Sequence, residues 1–583
     1  MSTSVSEADE PQKSEPQRAR RSQRRQGLRH FGVVTIFFVV FVAFVVPFVV
    51  PSFAQQVSFD RLLRADREPQ NWLSYSGTIF NQRYSLLTQV TPANVKNLEL
   101  QWVWQARSLE KFEATALAVD GVLYTLQGPP VQGRYQVVAL DAVTGRPFWT
   151  YEYQPATEAR PCCGRVSRGL AILGDTLFMG TIDARLIALD AKTGGVLWNV
   201  EAAKLGDKTT DKYAITHAPL IVKDKVIVGI AGGDLGVRAS IAAFDAKNGR
   251  ELWRFYTIPG PGEKGNDTWS GESWKTGGAG VWNSGAYDPE ANLVYFGTGN
   301  PAPDWDGRSR LGDNLYSDSV VALDVETGRL KWHYQFTPHD EVDYDSTQVP
   351  VLVDMEWQGR PRKVMLWANR NGLAYVLDRV SGEFLLGKAY VRVNWMEGFD
   401  KSGRPQRVPG KIPTKDGELI MPTVLGATNW APPSYSPRTG LFYVSAWENT
   451  GTMAVEGQFP RGFGVQGTGG TPMGQATLTP NTKKDEDGFG VIRALDPKTL
   501  DKKWEYKMSD ITWGGVLTTA SDLVFSGGKE GYFFALDARS GQLLWKASLG
   551  GQINSGPMSY SVNGRQYVTV AAGNALFAFA LRQ

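Results

Sequence analysis

From about residue 58 onward the chain reads as short apolar, β-branched runs separated by polar, turn-forming clusters. Runs such as Val122–Leu126 and Val226–Ile230 have the length and composition of buried strands. One phrase recurs between them. It is written Ala139-Leu140-Asp141-Ala142-Val143-Thr144-Gly145 with Trp149, and again Ala188-Leu189-Asp190-Ala191-Lys192-Thr193-Gly194 with Trp198. It returns at Asp245/Gly249/Trp253, Asp324/Gly328/Trp332, Asp378/Gly382 and Asp537/Gly541/Trp545. Two degraded copies complete the set: Asp496/Thr499/Trp504, with Leu500 in place of Gly, and Ser436-Pro437-Arg438-Thr439-Gly440.

The phrase has a physical meaning. An apolar strand ends on Asp, whose carboxylate accepts backbone N–H bonds and opens a tight turn; Gly supplies positive φ, and Trp rides on the returning strand. Successive copies lie mostly 41 to 60 residues apart, with one gap of 79 between Asp245 and Asp324 where an insertion belongs. Repeats of that period, each holding several strands, predict propeller blades, and a Trp at fixed offset suits the space between neighbouring blades. Eight phrases predict an all-β, eight-bladed β-propeller over residues 58–583, with N- and C-terminal strands completing a common blade. Ala454–Gly490 is Gly-rich and aperiodic and reads as a long loop over one face.

The N-terminus follows a different pattern. Six arginines stand between Arg18 and Arg29, an apolar run extends from Phe31 to about Val50, and Ser52-Phe53-Ala54 offers small residues before Gln55. This predicts a separate segment, residues 1–54: a basic tail followed by a signal peptide or a single-span membrane anchor. The remainder is then exported, in a bacterium to the periplasm. The net charge of +3 sits in residues 1–30, which hold seven Lys/Arg against four Asp/Glu and leave 55 against 55 elsewhere. A neutral body argues against nucleic acid as a partner.

Only two cysteines occur, and they are neighbours, Cys162 and Cys163. There is no Cys-x-x-Cys-His haem-attachment run and no Cys/His zinc spacing. In an oxidising compartment two adjacent thiols either pair or remain a redox liability.

With Asn71-Trp72-Leu73-Ser74-Tyr75-Ser76-Gly77, Asn81-Gln82-Arg83-Tyr84 and the Cys162-Cys163 pair, the exported chain resembles the alcohol dehydrogenases that depend on pyrroloquinoline quinone (PQQ), of the methanol and ethanol dehydrogenase type. The resemblance implies that Cys162 and Cys163 form a disulfide ring on one face of the quinone and that Trp282 stacks on the other. It further implies that Arg168 and Thr216 hold a cofactor carboxylate, and that Glu113, Gly232, Gly233, Asn429 and Trp513 line the same site. Arg370 matches the cation at the quinone oxygens. Asp234 and Asn300 match oxygen ligands of a hard metal ion, and Asp343 matches both a ligand and the base that takes the substrate proton. Asp345, two residues on, is similar to the extra anionic ligand of the lanthanide-dependent branch, although comparable runs occur in calcium users. One calcium or lanthanide ion is therefore expected.

Departures from the family pattern bear on the substrate. Asp234 stands for the usual Glu, Gly280 and Ala231 for hydroxyl residues, Val342 for a Trp, and Ala572-Gly573-Asn574-Ala575 for a closing Gly-Gly-Trp. These point away from methanol and toward another primary alcohol or related hydroxyl or aldehyde substrate. A sugar or polyol dehydrogenase and a non-catalytic envelope scaffold are the competing readings. Without a haem motif, electrons are expected to pass to a separate acceptor, a cytochrome c; a homodimer is compatible with the sequence.

Overall fold

The computed structural model describes residues 56–203, 212–456 and 488–582. The basic and apolar N-terminal segment lies outside them, as does most of the stretch read as a long loop. No helix among the described residues is long and apolar enough to cross a membrane.

The described residues form eight antiparallel blades of four strands, one extended by a short parallel strand, plus two two-stranded ribbons. The first blade consists of Leu117–Val119, Val122–Gln127, Tyr135–Asp141 and Pro147–Tyr153. Its innermost strand is wholly buried and its outermost half-buried or exposed, as the axial packing of a propeller requires. The eighth blade closes the ring. Three strands come from the C-terminus, Met558–Val562, Arg565–Ala572 and Ala575–Leu581, and its outer strand is Leu98–Gln105 from the start of the fold.

The recurring phrase is the turn between the third and fourth strands. Asp141 Oδ1 accepts Val143 N and Thr144 N, each at 2.8 Å, and Asp190, Asp324, Asp378 and Asp537 repeat the arrangement. In most blades the tryptophan reaches the phrase of the next: Trp149 Nε1 donates to Ala191 O at 3.0 Å, Trp253 Nε1 to Val325 O at 2.8 Å. The same indole lies over the next blade's glycine. A Cβ on Gly194 would stand 2.6 Å from the Trp149 ring, and one on Gly328 2.5 Å from Trp253. Glycine is thus required twice, by its φ of +68° at position 328 and by the ring above it.

The degraded copies now have causes. The fifth blade carries Leu386 where the others carry Trp, and in the sixth blade the facing glycine is replaced by Leu500, which keeps φ +56° and packs in the same apolar cluster. Ser436–Gly440 is a first-to-second-strand turn of that same sixth blade. Two phrases therefore belong to one blade. The eighth blade has none, because its third and fourth strands come from opposite ends of the chain. The count of eight holds with a different assignment.

This geometry makes a prediction. Gly328→Ala combines left-handed strain of about 1–2 kcal/mol with ring overlap costing about 1–3 kcal/mol more. Gly440→Ala, at φ +69° with nothing within 4 Å, carries the strain alone. Denaturant midpoints should rank the two in that order; equal losses would discount the inter-blade packing.

Candidate functional site

Antiparallel pairing puts two kinds of loop at one end of the propeller: the connectors that enter each innermost strand, and the loops from second to third strand. The Asp–Gly turns lie at the other end. All the chemistry gathers at the first end, in a cavity of about 180 Å³. Connectors before the first, second, third, fifth, sixth and seventh blades supply Glu113, Cys162 with Arg168, Thr216, Asp343 with Asp345, Asn429 and Trp513; second-to-third-strand loops supply Gly232, Asp234 and Arg370. The long gap in the phrase spacing is the insertion expected there. It carries Trp282 into the wall and holds Asn300 directly behind Asp345.

Of the catalytic, metal and cofactor-binding residues expected from the sequence, only Gly233 and Asn300 do not line the cavity. Gly233 opens a one-turn helix behind Gly232, packed on Gly280. Asn300 is 1% exposed, and its backbone N–H donates to Asp345 Oδ1 at 3.0 Å. His339 is turned aside, its Nδ1 2.7 Å from Gly312 O. Lys111 and Trp430 line the cavity and were not singled out. Both flank residues that were, Glu113 two positions on and Asn429 next door, and on an extended segment residues two apart share a face.

Two ion-pair systems organise the polar side. Arg168 Nη2 lies 2.9 Å from Glu113 Oε2, while its Nη1 donates to Thr216 Oγ1 at 3.0 Å and Trp282 O at 2.9 Å. Its guanidinium carbon stands 5.0 Å from the Trp282 ring centre. Arg370 is the second centre. Nη2 donates to Asp343 Oδ2 at 2.9 Å, Nη1 pairs with Asp345 Oδ2, and Nε donates to Val424 O at 2.9 Å. Asp345 is the more heavily committed carboxylate, also accepting Trp282 Nε1 at 3.1 Å. Asp343 keeps Oδ1 buried with no hydrogen-bond partner.

Flat surfaces complete the cavity. Cys162 and Cys163 are joined as a disulfide, and their sulfurs lie within 4.8 Å of an Asp234 carboxylate oxygen. Trp430 and Trp513 stack at 4.4 Å and 8°, with Lys111 Nζ 5.3 Å from the Trp430 ring centre.

Four carboxylates, Glu113, Asp234, Asp343 and Asp345, line the cavity against three cations, Lys111, Arg168 and Arg370. Burial and mutual repulsion tell on the acids. Asp234 is pushed up to about 7 by burial and by the Asp345 charge. Burial carries Asp343 well above the usual carboxylate range although Arg370 opposes it, and raises Glu113 despite Arg168. An excess of crowded acids with one buried oxygen unpartnered is what a hard cation would relieve. Flat walls with Arg and Thr donors suit a planar, polycarboxylate ligand.

Comparison with known proteins agrees with this chemistry. The family described as PQQ: glucose/ethanol/alcohol dehydrogenase, beta-propeller domain, matches residues 72–394 and 474–568. The quinoprotein alcohol dehydrogenase PedH of Pseudomonas putida is 37% identical over 545 residues, 89% of this chain and 88% of that one. The quinohemoprotein alcohol dehydrogenase of Comamonas testosteroni superposes with a TM-score of 0.80 at 35% identity, over 90% of this chain and 82% of the other. A europium-containing methanol dehydrogenase superposes at 0.79 with 31% identity, over 90% of this chain and all of its own.

Proposed function

This chain belongs to the PQQ-dependent alcohol dehydrogenases, and on that premise we propose that Asp343 is its catalytic base and that Asp234, Asn300, Asp343 and Asp345 surround its metal ion. The protein oxidises alcohols with PQQ and a metal ion; the roles of individual residues are our reading. The observation that carries it is the Asp343 carboxylate, fixed through Oδ2 on Arg370 and free at buried Oδ1. When bound, PQQ would supply the hydride acceptor for the alcohol carbon, and a hard cation would supply Lewis acidity.

The chain's own residues do the rest. Asp343 Oδ1 takes the hydroxyl proton, and Arg370 keeps that carboxylate from turning. Arg168 and Thr216 hold a cofactor carboxylate, with Glu113 orienting Arg168. Trp282 and the Cys162–Cys163 ring supply flat, polarisable faces, Trp513 and Asn429 close the far side, and Gly232 lets backbone approach closely.

For the ion we propose a trivalent lanthanide. Four carboxylates against three cations, together with a multiply anionic cofactor, favour the higher charge. The likeness to a europium-containing enzyme supports the same choice. Both cysteines are engaged in the disulfide and no Cys-x-x-Cys-His run occurs, which supports electron transfer to a separate carrier, a cytochrome c. The disulfide and the basic-then-apolar N-terminus support a periplasmic location.

The test is reconstitution with PQQ and either La³⁺ or Ca²⁺, assayed on a panel of primary alcohols, sugars and aldehydes with an artificial electron acceptor. Turnover of primary alcohols with La³⁺ is expected. Equal turnover with Ca²⁺ would overturn the lanthanide assignment, and preference for a sugar would move the substrate class.

A further inference from the structure

An amide can ligate a hard cation only through its oxygen, so Asn300 must be held with Nδ2 turned away. The structure supplies the cause. Asn300 Nδ2 donates to Asp304 Oδ1 at 2.7 Å and to Pro301 O at 3.3 Å. Asp304 and Pro301 engage Nδ2, which leaves Oδ1 as the amide atom available to a cation. Asp304 is 1% exposed and lies outside the set of residues lining the cavity. It faces the ligand, with no route to a bound substrate.

Asp304 is itself anchored. Arg310, wholly buried, donates through Nε to Pro303 O at 3.0 Å and through Nη2 to Asp304 O at 3.4 Å. The same Nη2 donates to Asp340 O at 2.5 Å. The Asp340 carboxylate in turn accepts Val342 N at 3.0 Å and Tyr344 N at 2.7 Å, the two amides that bracket Asp343. The loop that carries Asn300 and the loop that carries Asp343 thus share one buried frame. Asp343 sits in it at φ +59°, a left-handed conformation that a bond to each neighbour helps to hold.

We propose that Asp304 is a positioning residue for the metal: its buried carboxylate holds the Asn300 amide with the oxygen free to ligate, and Arg310 registers that loop against the Asp343 loop. The inference rests on the reading of Asn300 as a ligand. A partner of this kind changes metal affinity by roughly 10- to 100-fold when removed.

Equilibrium dialysis of the PQQ-loaded protein against La³⁺ or Ca²⁺, with bound metal counted by mass spectrometry, tests it without relying on turnover. Asp304→Ala should bind metal at least roughly tenfold more weakly than the unmodified chain. Asp304→Asn, whose side-chain oxygen can still accept from Nδ2, should recover most of the affinity. Adding Asp304→Ala to Asn300→Ala should cost nothing further. Unchanged affinity in Asp304→Ala alongside a loss in Asn300→Ala would overturn the positioning role and leave the ligand reading intact. Unchanged affinity in Asn300→Ala would overturn the ligand reading itself. Equal losses in Asp304→Ala and Asp304→Asn would replace the hydrogen bond with charge alone and overturn the proposal. Should the alanine variant not fold, Asp304→Leu, closer in shape and also unable to accept, takes its place, with melting in metal-free buffer separating folding from affinity.

Discussion

Asp343→Asn should lower kcat by about three orders of magnitude while the protein still binds PQQ. General-base contributions fall in the range of roughly 10²–10⁴, and the other cavity acids have other tasks, Asp234 as a proposed metal ligand. Glu113 is paired with Arg168, Asp345 with Arg370 and Trp282, and His339 is bonded to Gly312 away from the cavity. Asparagine keeps the volume and can still accept from Arg370 through its oxygen. The fold, the Arg370–Asp345 pair and the flat walls should therefore persist. KM should change far less than kcat, because the lost proton transfer belongs to the transition state. Metal content measured on the same sample separates loss of the base from loss of a ligand. A variant that retains metal and loses less than about tenfold in kcat would remove Asp343 from the role of base.

The sequence was informative where chemistry is local. Each Asp–Gly phrase encodes its own turn, so the blade architecture could be read from Asp141, Asp190 and their copies without knowing what lay beside them. The errors arose where a second element decides the residue. Leu500 looked like decay of the phrase, and only the neighbouring blade's Leu386 accounts for it. Ser436–Gly440 looked like a further blade because a first-to-second-strand turn uses the same residues as a third-to-fourth-strand turn. The eighth blade left no phrase, since its outer strand is Leu98–Gln105.

The site divides in the same way. The adjacent cysteines and the acids around Asp343 were visible because their spacing is short. Lys111 and Trp430 were not singled out, since a lone Lys or Trp carries no signal until the ring brings its connector to the cavity. Asp304 is the sharper case. It stands four residues from Asn300 with no regular element between them, and its role depends on which side of that loop its side chain occupies. No periodicity reports that.

Arg370→Met should be the most destabilising single change at the site. Arg370 is 3% exposed and serves Asp343, Asp345 and the Val424 carbonyl together. Removing one partner of a buried ion pair costs about 3–5 kcal/mol, because the remaining charge has neither water nor a counterion. Here two carboxylates are stranded. The pH dependence distinguishes this cause from lost packing. Arg370 lowers the proton affinity of both aspartates, which burial already raises. Without it, the folded chain holds those protons more tightly still than the unmodified folded chain does. The deficit should therefore be largest at pH above the raised folded-state range of both aspartates, and should shrink as the pH falls through that range and the stranded groups take up protons ahead of those in the unmodified chain. Arg370→Lys keeps a charge but cannot span both carboxylates with a planar fork, so it should fall between the two. Saturating La³⁺ should return part of the lost stability to Arg370→Met by supplying the missing positive charge beside Asp343 and Asp345. Denaturant unfolding at several pH values, with and without the ion, reads all of this. A deficit that neither pH nor metal alters would mean that Arg370 acts through packing rather than through the charge it contributes to the acids.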